Sequence, residues 1–262
     1  MKKLVTVFAA CAVAGLAFAA DSNIVGYQMH NLKAGPNLMG VAWEDVMTLD
    51  GKIDLKEMMD TTRLTSYDLL GSDGEGDSIL TWDVGSGWGD VYFYLDAEEV
   101  FEDAAYADTW ADDGLSPVSV RLEPGQAFWL ILKNDISDFP FKGQVAENGT
   151  IHTLAEGPNL IANPLPRAID FTDKTVVTTS GATPYDLLGS DGEGDSILTW
   201  NIGSGWGDVY FYIDAEAVFE DAAYADTWAD DGLNPANAVI PVGSGLWYIA
   251  KNAGVKVTFK GL

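Results

Sequence analysis

The chain has 262 residues and is strongly acidic, with 40 Asp and Glu against 14 Lys and Arg and a formal net charge of −26. This charge argues against nucleic acid and anionic membrane surfaces as partners, because both would repel it. Hydrophobic residues make up 47% of the chain and nine are tryptophans. The composition therefore predicts a packed core rather than disorder.

The N-terminus has the pattern of a bacterial export signal. Lys2-Lys3 precede the uncharged apolar run Leu4 to Leu16, and Ala17-Phe18-Ala19 has the small-x-small pattern of a cleavage site. The run is too short for a spanning helix. The alternative, a lipid on Cys11, fits poorly because the apolar run continues past the cysteine. We expect a signal peptide at 1–19, a secreted or periplasmic location, and a mature chain without disulfides, since Cys11 is the only cysteine.

The rest of the chain is an internal duplication. Residues 67–115 and 185–233, here called the repeat blocks, align at an offset of 118. Flanking segments also correspond, such as 124–134 with 242–252. The sequence predicts a first unit at 20–146 and a second unit at 147–262. The blocks differ at only four positions: Asp83/Asn201, Val84/Ile202, Leu95/Ile213 and Glu99/Ala217.

Within each unit the predicted elements are mostly strands. In the first unit, residues 77–84 alternate in polarity, a glycine-rich turn follows, and 91–95 form an aromatic-rich returning strand. Residues 96–110 have the spacing and acidic first turn of a short helix. The strand around Trp129 is apolar on both faces, which predicts a central strand covered on both sides. We expect a mainly β fold of two tandem β-sandwich or small-barrel repeats, each with one short acidic helical excursion.

The boundary between the units lacks the composition of a flexible linker. Asn148-Gly149 stands between two β-like runs, which is a strong hairpin signal. The sequence therefore predicts that the units join tightly, through a shared hairpin.

Several motifs together carry a family resemblance. They are SNIVGY at 22–27, GPNLIANPL at 157–165, GDSILTW at 76–82 and PGQAFWLILKN at 124–134, the last followed by FKGQ at 141–144. The chain resembles secreted bacterial β-repeat proteins of uncharacterised role, and the likeness covers nearly all of the mature chain. The resemblance implies export and a β-repeat fold. It transfers no catalytic or binding residue, because that family has no established activity.

The stretch GSDGEGDSILTW occurs twice, at 71–82 and 189–200. Alternating carboxylates can converge on one Ca²⁺ where glycines let the backbone curl. An EF-hand is excluded, since Ser78 and Val84 stand where that loop needs glycine and glutamate. Ca²⁺ is thus the one candidate cofactor, and a plain solvated turn is the alternative reading. The candidate ligands are Asp73, Glu75, Asp77, Asp191, Glu193 and Asp195.

The tryptophans suggest a second ligand class, carbohydrate. Exposed flat aromatic rings beside carboxylates or amides can stack on sugars, although large aromatics more often belong to the core. Trp88 and Trp206 lie between glycines at predicted turns, which favours exposure. Trp110 and Trp228 are the further candidates.

Enzymatic signatures are missing from the sequence. His30 and His152 are the only histidines and occupy equivalent positions, which indicates a shared structural role. We find no nucleophile elbow, phosphate-binding loop or dinucleotide fingerprint. The sequence therefore predicts a structural, cell-surface or adhesive protein rather than an enzyme, with a carbohydrate- or calcium-binding surface module as the alternative. Glycans and further copies of the chain are the candidate partners, and neither nucleic acid binding nor membrane insertion is expected.

The calcium hypothesis predicts how the thermal melting of residues 20–262 responds to Ca²⁺. Because Ca²⁺ bound to the native state alone stabilises it by mass action, the midpoint rises in millimolar Ca²⁺ relative to excess chelator. Replacing Asp73, Asp77, Asp191 and Asp195 removes the rise. An unchanged midpoint contradicts the hypothesis and leaves both loops as ordinary turns.

Overall fold

The computed structural model describes residues 25–44, 51–69, 76–84, 86–145, 149–187 and 194–261. The predicted signal peptide, Cys11 and Asn148 lie outside this range. The described chain is mainly β, which confirms the predicted fold class. Its helices are single turns, and within these ranges none has the length and apolar character needed to cross a membrane.

The first unit contains eleven described strands and four short helical turns. The strands are β1 (Val25–Leu32), β2 (Gly35–Gly40), β3 (Trp43–Glu44), β4 (Ile53–Asp54), β5 (Ser78–Asp83), β6 (Gly87–Leu95), β7 (Thr109–Ala111), β8 (Pro117–Val118), β9 (Arg121–Leu122), β10 (Ala127–Leu132) and β11 (Ile136–Val145). The helices are α1 (Leu55–Met58) and α2 (Glu98–Phe101), with 3-10 turns at Thr61–Arg63 and Ala104–Tyr106.

The second unit has a similar arrangement with ten described strands. They are β12 (Thr150–Thr153), β13 (Gly157–Ala162), β14 (Ile169–Asp170), β15 (Val177–Ser180), β16 (Ser196–Asn201), β17 (Gly205–Ile213), β18 (Thr227–Ala229), β19 (Val239–Ile240), β20 (Gly245–Ala250) and β21 (Lys256–Phe259). Strand β15, the counterpart of β3 in the small sheet, follows the short strand β14 instead of preceding it. The helices are α3 (Glu216–Phe219) and a 3-10 turn at Ala222–Tyr224. In both units the predicted acidic excursion is a helical turn plus a 3-10 turn, and it ends before a short strand that carries Trp110 or Trp228.

Each sheet is antiparallel and takes its strands from one unit. The first unit has a six-stranded sheet in the order β2-β10-β5-β6-β7-β8, a three-stranded sheet β1-β11-β3 and the pair β4-β9. The second has β13-β20-β16-β17-β18, β12-β21-β15 and β14-β19. The predicted shared hairpin is wrong, because β11 pairs with β1 and β3 while β12 pairs with β21. Long-range pairing within each unit overrides the local turn signal.

A separate core fills each unit. In the first unit Ile79 and Phe128 of the large sheet pack with Phe139 and Phe141 of the three-stranded sheet, and all four are buried. Ile197 and Phe259 belong to the corresponding core of the second unit. Removal of these side chains from water is the main favourable term for each sandwich.

Strand β10 is covered on both faces, as its sequence predicts. Phe128, Leu130 and Leu132 point into the core of the first unit. Ala127 and Trp129 point the other way, into a third cluster that joins the units. We call this the inter-unit cluster; its buried members are Leu38, Ala127, Trp129, Leu160, Ala162 and Trp247.

The inter-unit contact is reciprocal, as in an approximate twofold arrangement. The Gly40 N–H donates to the Gly243 carbonyl at 2.8 Å, and the Ala162 N–H donates to the Gly125 carbonyl at 2.7 Å. A Cβ at Gly40 would lie 2.5 Å from the Cβ of Ala162, so only glycine permits this approach. The tight union expected from the boundary therefore exists, but it rests on packed sheet faces.

Four tryptophans reinforce this contact in two equivalent pairs. Trp82 meets Trp247 at a ring-centroid distance of 4.6 Å and an interplanar angle of 86°. Trp129 meets Trp200 at 4.7 Å and 90°. Edge-to-face pairs of this kind contribute about 0.5–1.5 kcal/mol beyond their buried area.

Truncation of one of these rings tests the importance of the inter-unit cluster. We expect Trp129→Ala to lower the free energy of unfolding by about 3–5 kcal/mol, because it leaves a cavity between the units. Tyr27→Ala removes an exposed aromatic elsewhere and should change it by less than about 0.5 kcal/mol. Urea denaturation measures both. Equal losses for the two variants would contradict a stabilising role for the cluster.

Candidate functional site

The acidic glycine-rich loops lie only partly within the described residues. Asp73, Glu75, Asp191 and Glu193 are outside them. Asp77 and Asp195 are described, and both are fully buried. Among the described residues, no three His, Cys, Asp or Glu side chains gather as a metal site would require. Calcium binding by the loops stays a prediction.

The buried carboxylates tie each loop to the strand end beside it. The Asp77 oxygens accept from the Thr65 N–H and the Lys133 N–H, each at 2.7 Å. Burial raises the pKa of Asp77, and the bonds from Lys133 and Thr65 oppose that rise. Asp195 accepts from the Tyr248 hydroxyl at 2.8 Å and from the Lys251 N–H at 2.9 Å. These hydrogen bonds give both aspartates a structural role.

Two of the four candidate sugar-stacking tryptophans are core residues. Trp110 is 1% exposed and Trp228 is 2% exposed. Trp110 packs edge-on against Tyr94 at 5.8 Å, and Trp228 packs against Tyr212 at 5.7 Å. This corrects their assignment to the ligand surface, because neither ring offers a face to a ligand.

The other two tryptophans stand in solvent as their glycine-flanked positions predict. Trp88 is 58% exposed and Trp206 is 60% exposed. Each rests edge-to-face on the opposite residue of its hairpin, Trp88 on Trp82 at 5.3 Å and Trp206 on Trp200 at 5.4 Å. We call β5–β6 and β16–β17 the tryptophan hairpins. Their rings are held from one side and remain open to solvent.

Polar side chains lie on the other face of each tryptophan hairpin. The Thr81 and Asp83 side chains occupy the space over Gly89, the residue after Trp88, since a Cβ there would lie 2.6 Å from Thr81 Oγ1 and 3.3 Å from Asp83 Cγ. In the second unit Thr199 and Asn201 lie over Gly207 in the same way. Because successive residues of a strand point to opposite faces, these polar side chains lie on the face away from Trp88 and Trp206. Each hairpin therefore offers its indole as an exposed apolar surface.

A cavity of about 290 Å³ lies between the two units, and we call it the inter-unit cleft. The first unit contributes Lys52, Asp83, Arg121 and Gln126 to its walls, and the second contributes His152. Our sequence reasoning missed the two cations and the glutamine because only tertiary packing brings them together. A signal existed, however, since the repeat is broken at all three: the second unit has Ala168, Val239 and Ser244 there.

The two histidines keep their equivalence in three dimensions. The His152 ring faces Gly125 and the His30 ring faces Gly243, so each contacts a glycine of the other unit. Neither Nε2 has a hydrogen-bond partner within the described part of the chain. Burial lowers the pKa of both histidines to about 4, so both are neutral at pH 7.

No family model, curated protein or solved structure matches the chain. The site must therefore be interpreted from its own geometry.

The two histidines, whose Nε2 atoms are buried, make the stability of the fold depend on pH. Their folded pKa lies below the ordinary value of 6.5, so the unfolded chain binds more protons and stability falls as the pH drops from 6.5 toward 4. We expect a loss of about 1 kcal/mol per histidine between pH 6.5 and 5.5. Urea denaturation across that window measures it. The variant His30→Gln/His152→Gln should flatten the profile, and an unchanged slope would contradict this assignment.

Proposed function

We propose that this chain is an exported adhesive module that binds carbohydrate at two equivalent sites, centred on Trp88 and Trp206. The observation that carries the proposal is the duplicated tryptophan hairpin, which presents a largely exposed indole, packed on a second tryptophan, in both units.

The near-identity of the repeat blocks preserves this surface. Of the four differences, Leu95/Ile213 is buried in both units, and Glu99/Ala217 lies in the helical turns. Asp83 and Val84 line the inter-unit cleft, and Ile202, the counterpart of Val84, packs against the core of the first unit. The exposed tryptophans and the tryptophans that pack against them are the same in both copies. Two equal surfaces would recognise the same ligand twice.

The hairpin geometry matches the chemistry of a sugar ring. The C–H groups of a pyranose are apolar and pack on a flat aromatic face, while its hydroxyls need hydrogen-bond partners at the edge. The open ring of Trp88 supplies the apolar half of this match, whereas Thr81 and Asp83 lie on the other face of the hairpin. Trp82 and Trp247 support the Trp88 ring at 5.3 and 6.1 Å, so the ring is ordered before a ligand arrives. Such preorganisation reduces the entropic cost of binding.

The junction between the units converts two weak sites into one adhesive surface. Because the inter-unit cluster and the reciprocal backbone bonds fix the units together, Trp88 and Trp206 keep one separation. A polymer long enough to reach both gains avidity without any new contact. This favours an extended polysaccharide over a free monosaccharide as the target.

The tryptophan hairpins predict a graded loss of polysaccharide binding. We expect Trp88→Ala or Trp206→Ala to weaken retention on an insoluble polysaccharide by about tenfold or more, since avidity is lost. The double variant should abolish retention. A panel of insoluble polysaccharides with depletion of soluble protein measures the effect.

Tyr27→Ala is the matched control, because Tyr27 is equally exposed but lies outside the hairpins. It should bind as the unchanged protein does. Retention of the double tryptophan variant at full strength would reject these two sites. Failure of the unchanged protein to bind any member of the panel would reject carbohydrate as the ligand class.

A further inference from the structure

We infer that the inter-unit cleft is a second, single-copy ligand site, which takes a sugar residue bearing a carboxylate. The inference rests on the proposed carbohydrate function and adds to it a separate place and a ligand class. Its evidence is the cleft, the asymmetry of the duplication around it, and the charges on its walls.

The cleft has the size of a small-ligand site. Its volume of about 290 Å³ is near the lower limit of such sites, about 300 Å³, which is room for one sugar ring. Both units form its walls, so it exists only when they are docked. Trp82 supplies an aromatic wall, and its indole N–H is already bound to the Pro158 carbonyl at 3.1 Å.

The duplication is asymmetric at this cleft. Val84 lines it and is 54% exposed. The equivalent Ile202 is half-buried and packs against the core of the first unit. Beside it, Gly203 lies against the Lys33 side chain. The counterpart region is therefore covered by apolar packing, while the cleft at Val84 stays open.

The charges follow the same asymmetry. Lys52 and Arg121 both line the cleft, whereas Ala168 and Val239 take their places in the second unit. The Arg121 guanidinium donates to the Lys52 carbonyl at 3.1 Å, and Lys52 pairs with Glu123 at 3.5 Å, so the two cations are held on one wall. The chain has only 14 basic residues, and two of them meet here.

This arrangement selects a carboxylate on an otherwise neutral sugar. Charge-assisted hydrogen bonds from arginine or lysine to carboxylate are stronger than neutral ones. Two carboxylates, Asp83 and Asp90, and the amide of Gln126 also line the cleft and offer acceptors and donors to ring hydroxyls. Lys52 and Arg121 remain the groups that attract a carboxylate. A polyanion would meet the repulsion of the whole chain, whose net charge is −26. A single uronic acid residue avoids that repulsion and satisfies the cationic wall.

A titration with two monosaccharides tests the inference. We expect the full mature chain to bind D-galacturonate about tenfold more tightly than D-galactose. Ligand-observed nuclear magnetic resonance measures both affinities. Arg121→Val installs the second unit's own residue and should remove that preference. Arg167→Val removes an exposed cation outside the cleft and should leave the preference unchanged.

A second variant closes the cleft without removing a cation. Asp83→Asn/Val84→Ile copies the second unit and should abolish galacturonate binding, while unfolding by urea confirms that the variant is folded. Equal binding of the two sugars by the unchanged protein, or full binding by either cleft variant, would overturn the inference.

The outcome is independent of the test of the tryptophan hairpins. Trp206 lies outside the cleft walls. The variant Trp206→Ala should therefore weaken retention on polysaccharide and leave the binding of monosaccharides unchanged. Galacturonate selectivity without polysaccharide retention would overturn the hairpin sites and support the cleft. Retention that depends on Trp88 and Trp206, without any galacturonate selectivity, would support the hairpin sites and overturn the cleft.

Discussion

The contact between the outer faces of the two large sheets is the constraint on which the other features depend. Strands β10 and β20 each carry apolar residues on both faces, so each strand needs a second cover beyond its own core. Each unit supplies that cover for the other through Trp129 and Trp247. A unit on its own would expose this face to water, and apolar surface of that kind is costly. The duplication is thus a physical requirement of the fold as well as a feature of the sequence.

The close contact between the two units costs free energy at the two histidines. Gly40 and Gly125 let backbones approach until they hydrogen bond across the junction, and the Nε2 atoms of His30 and His152 are buried in the process. A buried polar atom without a partner costs about 1–3 kcal/mol. The tryptophan pairs and the buried apolar surface of the inter-unit cluster offset that cost. The junction therefore combines large apolar stabilisation with two desolvated imidazoles, and its strength depends on the charge state of both.

Sequence reasoning succeeded where a property is local and failed where packing decides. The unbroken apolar run around Trp129 predicts a strand that is covered on both faces, because the residues of a half-exposed strand would alternate between apolar and polar. The glycines around Trp88 and Trp206 likewise predict turns and exposure. Trp110 has the same residue type and the same acidic neighbourhood, yet it is buried, because its short strand adds to the large sheet over the core. Residue identity alone does not separate these cases.

The site itself was the least predictable part. Lys52 and Arg121 are distant in sequence and meet because β4 pairs with β9. Nothing in their local sequence marks them as neighbours. The asparagine–glycine turn shows the opposite error, since a strong local signal at 148–149 loses to the pairing of β12 with β21. Comparing the sequences of the two units is more informative than these local patterns. A position at which the repeat is broken marks a place where the surroundings differ between the units.

The differences between the units follow from what each position contacts. A side chain at 84 or 202 lies at the junction, so Val84 and Ile202 change the shape of the space between the units. The rings of Trp88 and Trp206 are mostly exposed, so they are available to a ligand, and Trp88 also packs against Trp247 of the other unit. Two of the four differences between the repeat blocks, 83/201 and 84/202, belong to the segment that lines the cleft, whereas positions 88 and 206 are both tryptophan. One duplicated block thus provides two matched outer surfaces and a single open cleft, because the junction is reciprocal in its backbone and unequal in its side chains.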